Sequence, residues 1–204
     1  EVTPSGGAGG GVAIGGFEAA GSVGDADGNG ATRAYIGDGA RIVASSIDVT
    51  ADGTNDVYVD MLVVGVGVLS GAGGTSAATV AGEVQAFIDP GEKADGTASI
   101  VVSGAVTVEA LSSDVATANA DGGAGGGISV SVLYATVANT VETGAWIGSG
   151  AGLDVGSLDV NANALNRYGE ATITVGAGAI FGGAGGSTDA SSAGTVEAWI
   201  GSGA

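Results

Sequence analysis

The sequence contains no cysteine and no histidine among its 204 residues. Without cysteine, a disulfide framework, a thiol nucleophile and a Cys-ligated metal centre are excluded. Without histidine, the usual general base near neutral pH and the commonest transition-metal ligand are missing, and a Ser-His-Asp triad is excluded. The acidic residues are spread along the chain, and few aromatic residues are present to line a sugar cleft. We therefore predict that the protein is not an enzyme and needs no cofactor, apart from the calcium considered below.

Basic residues are also scarce. Lysine and arginine total 4 against 22 aspartates and glutamates, so the formal net charge at pH 7 is −18. Nucleic-acid binding depends on basic side chains that neutralise phosphates, and anionic membrane surfaces repel acidic proteins. The longest uncharged runs, 61–82 and 122–141, are broken by glycine clusters, unlike a continuous apolar span. We predict neither nucleic-acid binding nor membrane insertion.

Proline occurs twice and aromatic residues form 4% of the chain, whereas glycine occurs 43 times. The glycines have neither the strict three-residue period nor the proline that collagen requires. Helices are disfavoured, because each interior glycine costs a helix ~1 kcal/mol relative to alanine. With 45% hydrophobic residues, the chain is too apolar for a solvated disordered segment. An all-β structure with many turns is the fold class that remains.

Three sequence signatures recur in the same order along the chain. The first is Ala-aromatic-Ile before a glycine-containing turn, the second is a short alternating strand, and the third is a cluster of glycine and alanine. The isoleucines of the first signature lie 52, 59 and 53 residues apart, at Ile36, Ile88, Ile147 and Ile200. Between the signatures, apolar and polar residues alternate with a period of two, which is typical of half-buried strands. Long repeats of this kind indicate stacked coils.

We therefore predict an all-β, parallel β-solenoid (β-helix) built from repeats of about 52–59 residues. It forms a single domain over 1–204, with a partial repeat at 1–40 and repeats at about 41–92, 93–151 and 152–204. Solenoids need polar caps at their ends, and the sequence shows none. Two explanations are left open: the chain is a slice of a longer polypeptide, or separate copies dock with one another.

Two segments, 57–69 and 171–181, carry apolar residues on both faces of a strand. Such a strand is buried on both faces, so it either runs through the middle of the molecule or meets another molecule on its outer face. This pattern is our main indication of self-association. The predicted contact residues are Val64, Val66, Val68, Ile173 and Val175.

Two further groups of residues are candidate sites. Asp25, Asp27 and Asn29 alternate with small residues, so their oxygens form a candidate calcium loop; an ordinary glycine-rich turn is the alternative. The aromatic residue of the first signature forms the second group, which consists of Tyr35, Phe87, Trp146 and Trp199. Equivalent side chains of successive coils lie a few ångströms apart, so we predict a stacked ladder, with a sugar-binding stripe as the alternative.

The turn segments 34–40, 145–151 and 198–204, together with the Val-x-Ala strands and Gly-Ala-Val-rich stretches, resemble the repeats of large bacterial surface proteins, the leukotoxin-type filamentous adhesins. Segment 86–91 departs from the turn pattern, with Asp89-Pro90 in place of the Gly-x pair. The resemblance implies a β-solenoid that is secreted to the bacterial cell surface or beyond, and it implies no catalytic residues.

The sequence and the resemblance together predict a structural, non-enzymatic segment of an extracellular filament, matrix or surface adhesin. Its expected partners are copies of itself, which associate through β-sheet stacking. The alternative function is a calcium- or glycan-binding adhesive module of a large secreted protein, with other cells or glycans as partners.

Overall fold

The computed structural model describes residues 8–91 and 99–204, and these residues form one parallel sheet without any helix. Its strands are β1 (Ala8–Ile36), β2 (Ile42–Ala44), β3 (Ile47–Ile88), β4 (Ile100–Asn139), β5 (Glu142–Ile147), β6 (Leu153–Ser192) and β7 (Val196–Ile200). The predicted all-β class and parallel β-solenoid are confirmed. Among the described residues there is consequently no helix that could cross a membrane. The predicted repeat boundary at 92 and 93, and the first seven residues of the partial repeat, lie outside the described residues.

The strands stack as four coils. Coil 1 is β1, coil 2 is β2 with β3, coil 3 is β4 with β5, and coil 4 is β6 with β7. Paired residues lie 52 apart between β1 and β3, 59 apart between β3 and both β4 and β5, and 53 apart between β5 and β7. The four isoleucines of the first signature are therefore neighbours in one column, Ile36, Ile88, Ile147 and Ile200. We use "column" for such a set of paired positions.

Each coil folds back on itself into two facing walls. In coil 2 the outbound wall is 47–67, the tip is Val68 and the return wall is 69–88. A methyl group added at Gly74 of the return wall would come within 2.6 Å of Met61 Cε of the outbound wall, so the walls are in contact. In coil 3, Thr143 Oγ1 donates to Ser112 Oγ across the same gap, at 2.9 Å. The pairing register skips the tip of every coil, at Gly16, Val68, Gly127 and Ile180.

The core lies between the two walls. Alternate residues of the outbound wall point inward, including Val57, Val59, Met61 and Val63, all of which are fully buried. The space narrows toward the tip, where a Cβ at Gly65 would lie 2.3 Å from the carbonyl oxygen of Gly71. Only glycine fits there, because the two backbones touch. The Gly-rich stretches of the sequence thus belong to the thin end of the coil.

The walls of successive coils are joined through turns that repeat in register. Gly39, Gly91, Gly150 and Gly203 occupy one column, with φ between 71° and 75°. A turn with positive φ at its third residue strongly favours glycine there and accepts proline at its second. Pro90 occupies that second position, and its carbonyl oxygen accepts a hydrogen bond from Gly39 N at 2.9 Å. The Asp89-Pro90 departure from the turn pattern therefore leaves the turn intact.

Candidate functional site

The four aromatic residues of the first signature stack on one another along the coils. The ring centroids are 5.0 Å apart for Tyr35 and Phe87, 4.6 Å for Phe87 and Trp146, and 5.8 Å for Trp146 and Trp199, with interplanar angles of 3–7°. The flat faces of the inner rings are therefore covered by their neighbours. A sugar ring stacks on an exposed aromatic face, so this arrangement is that of a structural ladder.

Polar groups border the ladder on the outer face of the return wall. Arg33 forms an ion pair with Glu83, and Arg33 Nε donates to Gln85 Oε1 at 2.8 Å. In coils 3 and 4, Glu142 and Glu197 line a recess of about 90 Å³ beside the edges of Trp146 and Trp199. This recess combines aromatic edges with two carboxylates.

The candidate calcium loop is not a loop. Asp25, Asp27 and Asn29 lie within β1, where each backbone pairs with β3 at Ala77, Thr79 and Ala81. All three side chains are exposed on the same side of the strand. Residues two apart on a strand follow one another at roughly 6.6 Å along a line, so the three residues form a row and do not curve around one point as a calcium loop does. Both sequence interpretations, the calcium loop and the ordinary turn, are corrected by continuous pairing with β3.

Metal-binding side chains are otherwise dispersed. Within residues 8–91 and 99–204, no three Asp or Glu side chains are grouped so that they could hold an ion. In its hydrogen-bonded orientation, the Asn29 amide donates to the carbonyl oxygens of Gly28 and Ala81, at 3.3 and 3.1 Å. Asn29 is thus occupied by the backbone of its own and the neighbouring coil.

The five predicted self-association residues fall into two groups. Val64, Val66 and Val68 point outward from the outbound wall and the tip, and Val66 and Val68 are 43% and 69% exposed. Ile173 and Val175 point inward and pack against the core. Their assignment to an outer contact surface is therefore corrected. The prediction of two-sided burial overlooked the threonines that alternate with Ile173 and Val175 and mark the outer face.

The outer face of the outbound wall near the tip is apolar and uneven, with bulky side chains in some coils and glycine in others. We call it the outbound face, and it consists of the outward residues in the columns of Val64 and Val66 together with the tip residues Gly16, Val68, Gly127 and Ile180. The column at its border holds Leu62 in coil 2 and Asp121 in coil 3. In coils 1 and 2 it presents Val12, Ile14, Val64 and Val66, whereas in coils 3 and 4 it presents glycine at every equivalent position. The glycines floor a groove of about 490 Å³ that is bordered by Val64 and Val66. A ridge thus lies beside a groove on one surface.

The opposite side of the coils, the return face, is apolar near the tip as well. In the column nearest the tip, every coil carries a large exposed side chain. These residues are in register: Phe17, Leu69, Ile128 and Phe181. Farther from the tip, a groove of about 580 Å³ runs over Gly21 and Gly73 beside Val132 and Tyr134. Both faces are therefore apolar near the tip, but their bulky side chains and grooves lie in different columns.

Charge is kept away from the outbound face. In coil 2, Asp48, Asp52, Asp56 and Asp60 all point outward from the part of the wall nearer the turns. Segments 62–68, 122–127 and 175–180 contain no charged residue. Near the tip, the charged side chain of the described residues is Glu18 of coil 1, whose carboxylate lies beside Gly15, and the outbound face next to it carries no charge.

A buried polar column crosses the core and was not predicted from the sequence. Asn55, Asp114 and Arg167 lie in register in coils 2, 3 and 4. Asn55 Nδ2 donates to Asp114 Oδ1 at 2.8 Å, and Asp114 is fully buried. The Arg167 guanidinium donates to the carbonyl oxygens of Gly194 and Val141, at 3.0 and 2.9 Å. The available signal was an Asn, an Asp and an Arg at alternate positions otherwise occupied by apolar residues.

On the outside of β6, Tyr168 Oη donates to Glu170 Oε2 at 2.7 Å. This hydrogen bond raises the pKa of Tyr168 above its ordinary 10.0, and the negative charge of Glu170 acts in the same direction. The two residues are i and i+2 neighbours on one face of the strand, so the pair is local. It offers a spectroscopic probe of coil 4.

Comparison of the chain with protein-family models, with curated proteins and with solved structures found no match. The function is therefore argued from the residues of this chain.

Proposed function

We propose that this chain is a structural, non-enzymatic segment of a bacterial extracellular filament, matrix or surface adhesin, which associates with copies of itself by β-sheet stacking. One observation carries the proposal: four coils with matching residues stack in parallel register, and the ladder and turn columns continue through all of them. A structure of this kind grows by adding coils, because each coil presents the same pattern of donors and acceptors to the next.

The outer strand edges support stacking beyond four coils. Within the described residues, β1 pairs only with β3, and β6 pairs only with β4. Their outer edges carry unpaired backbone donors and acceptors, which readily accept another strand. Either a further coil of the same polypeptide or another copy would satisfy them, and both arrangements produce an elongated body.

Electron microscopy and X-ray fibre diffraction of the concentrated protein test this proposal. We expect elongated particles and a reflection at about 4.7 Å along the fibre axis, the spacing between neighbouring strands. Acidic repulsion is screened by salt, so added NaCl should lengthen the particles. A protein that remains a monomer at high concentration, with both salt and calcium present, would contradict the proposal.

The location at the bacterial surface rests on the resemblance to filamentous adhesin repeats. Immunogold labelling of intact source cells, beside permeabilised cells as control, tests it. Label on intact cells or on material around them is expected, and label restricted to permeabilised cells would overturn the assignment.

A glycan-binding role is the second candidate, and the recess beside Trp146 and Trp199 favours it because Glu142 and Glu197 supply hydrogen-bond acceptors there. A glycan array followed by calorimetry tests this role, and calorimetry with calcium tests the metal-binding form of it. Specific glycan binding that Glu197→Gln abolishes would support this alternative over a purely structural role.

A further inference from the structure

The bulky and small residues of the outbound face are distributed in a self-complementary way. Its two paired columns read Val12, Val64, Gly123, Gly176, then Ile14, Val66, Gly125, Gly178. The tip residues skipped by the pairing, which we call the tip column, are Gly16, Val68, Gly127 and Ile180 in coils 1 to 4. In the first two columns, coils 1 and 2 are bulky and coils 3 and 4 are glycine. In the tip column, coils 2 and 4 are bulky and coils 1 and 3 are glycine. The bulky residues therefore equal the glycines in number.

The packing of the coil itself does not require glycine at two of these positions. A Cβ at Gly125 would meet only the carbonyl oxygen of Gly178, at 3.5 Å, an ordinary contact. A Cβ at Gly178 would meet nothing within 4 Å, and neither residue has a positive φ. Glycine weakens a strand, and β-branched residues favour it. Glycines with space for a Cβ also lie on the return face, at Gly183 and Gly185, so what sets the outbound face apart is that its glycines match its bulky residues in number and position.

We propose that a second copy of this chain accounts for that match, by packing its own outbound face against this one. The two copies are related by a two-fold axis that runs parallel to the strands, between coils 2 and 3. This axis exchanges coil 2 with coil 3 and coil 1 with coil 4, and it keeps every column in place. The inference rests on the proposed function. It specifies one contact between copies of the chain, in which the partner is a second copy and the surface is the outbound face.

Under this symmetry each bulky residue meets a glycine. Val66 packs on Gly125 of the second copy, and Ile14 packs on Gly178 of the second copy. The tip column behaves in the same way, since Val68 meets Gly127 and Ile180 meets Gly16. Because a two-fold contact uses one patch on both copies, every such pair occurs twice and the assembly closes as a dimer.

The return face has this property only in part. The same two-fold operation would bring Gly71 against Val130 and Gly73 against Val132, but it would also bring Leu69 against Ile128 and Phe17 against Phe181, so bulky side chains would oppose one another in the column nearest the tip. The outbound face is therefore the one that pairs.

Charge and area are consistent with a specific but weak contact. The three columns of the outbound face contain no charged residue, and the nearest charge is Asp121, which would face Leu62 of the second copy at the rim of the contact. Four strands about 4.7 Å apart and six residues of about 3.3 Å rise give roughly 380 Å² per copy. That is the size of apolar patches that mark interaction sites, and it is smaller than the ~800 Å² per partner of a stable interface. The dimer should therefore need high protein concentration and screening salt.

Sedimentation equilibrium of the whole chain in high salt, at several protein concentrations, tests the pairing. Gly125→Val fills the groove and should weaken dimerisation at least about tenfold, since the overpacked position occurs twice in a two-fold dimer. Gly73→Val is the matched control on the return face, where a Cβ would meet only the carbonyl oxygen of Val132, at 3.6 Å. It should leave dimerisation unchanged. Circular dichroism confirms that both variants are folded.

A swap makes the test specific. Val66→Gly combined with Gly125→Val exchanges ridge and groove within one column, so each new valine meets a new glycine of the second copy. We expect the double variant to recover most of the affinity that Gly125→Val loses.

Two outcomes would overturn the pairing: Gly125→Val associates like the unmodified chain, or Gly73→Val loses as much affinity as Gly125→Val. If the chain forms filaments that Gly125→Val leaves unchanged, the pairing is wrong and the proposed function stands. If the unmodified chain is a monomer under every condition, the self-association in the proposed function fails as well.

Discussion

The side chains of Asn55 and Asp114 join two coils through the core, with 2.8 Å between Asn55 Nδ2 and Asp114 Oδ1. Both residues are buried, and the backbone oxygen of Asp114 accepts a second hydrogen bond from Asn139 Nδ2 at 3.1 Å. Asp114 therefore links coil 2 to coil 3 and the outbound wall to the return wall. Buried polar groups of this kind specify alignment, because a shift of one residue would leave them without partners.

We expect Asp114→Ala to lower the free energy of unfolding by about 1–3 kcal/mol, because Asn55 Nδ2 would lose its acceptor inside the core. Asp121→Ala, which changes the same residue type on the outer face of the same strand, should cost no more than about 0.5 kcal/mol. Urea denaturation followed by circular dichroism measures both. Equal losses for the two variants would show that the buried hydrogen bond contributes nothing.

The loss of stability on removing one ring of the ladder should depend on how many rings stack on it. Phe87 stacks on both Tyr35 and Trp146, so Phe87→Ala removes two contacts and should cost about 2 kcal/mol. The emission of Trp146 should shift to longer wavelength as water reaches its exposed face. Phe181, which is 71% exposed and outside the ladder, provides the control. If Phe181→Ala is as costly as Phe87→Ala, burial of the rings is not what stabilises the column.

Replacing a glycine by alanine should be more costly in the turn column than at a glycine with ordinary φ. Gly150 has a φ of 71°, so Gly150→Ala should cost about 1–2 kcal/mol from the left-handed backbone alone. Gly125→Ala, at a position with ordinary φ and space for a Cβ, should be neutral or slightly stabilising. Thermal unfolding of the two variants at one protein concentration separates these effects, and a neutral Gly150→Ala would contradict the turn geometry.

The Tyr168–Glu170 pair predicts a response to alkaline pH. The pKa of Tyr168 is higher in the folded chain than its ordinary 10.0, so the pair contributes stability below that value and loses it as pH rises through the folded pKa. Ultraviolet absorbance of tyrosinate should show one late step. Glu170→Gln should move this step to lower pH, and Tyr168→Phe should remove it.

Tyr134→Phe, on the return face of coil 3, is the control for the late step and should leave it in place. A late step that survives Tyr168→Phe would assign it to another tyrosine and contradict the hydrogen bond.

Much of the fold could be predicted because the pairing follows the first two sequence signatures. The third does not follow it, since the cluster at 122–126 pairs with 63–67 and not with the cluster at 71–74. Ile36, Ile88 and Ile147 were recognisable as equivalent, and the structure pairs them. The direction of each side chain was harder wherever both alternate sets are apolar. Around Val66 the sequence is apolar or glycine on both faces, so only the position of the facing wall decides that Val66 points outward. Before Val175, in contrast, Thr172 and Thr174 alternate with the apolar residues and already indicated that Val175 points inward.

The candidate site was predictable only in part, for a similar reason. Asp25 and Asp27 beside glycines are equally compatible with a turn and with the outer face of a strand, and pairing with β3 decided for the strand. The groove over Gly125 and Gly178 could not be foreseen, because it depends on which coil lies next to which. A glycine that forms a groove and a glycine that forms a turn look alike in a sequence.

The stacking direction has a mechanical consequence. Each coil adds only about 4.7 Å to the length of the stack, whereas its chain of some fifty residues spans roughly 170–180 Å when fully extended. Tension applied along the stack would load the backbone hydrogen bonds between neighbouring coils and release chain one coil at a time. Such a segment would act as an extensible tether that absorbs a pull by lengthening almost fortyfold, while its remaining coils stay folded.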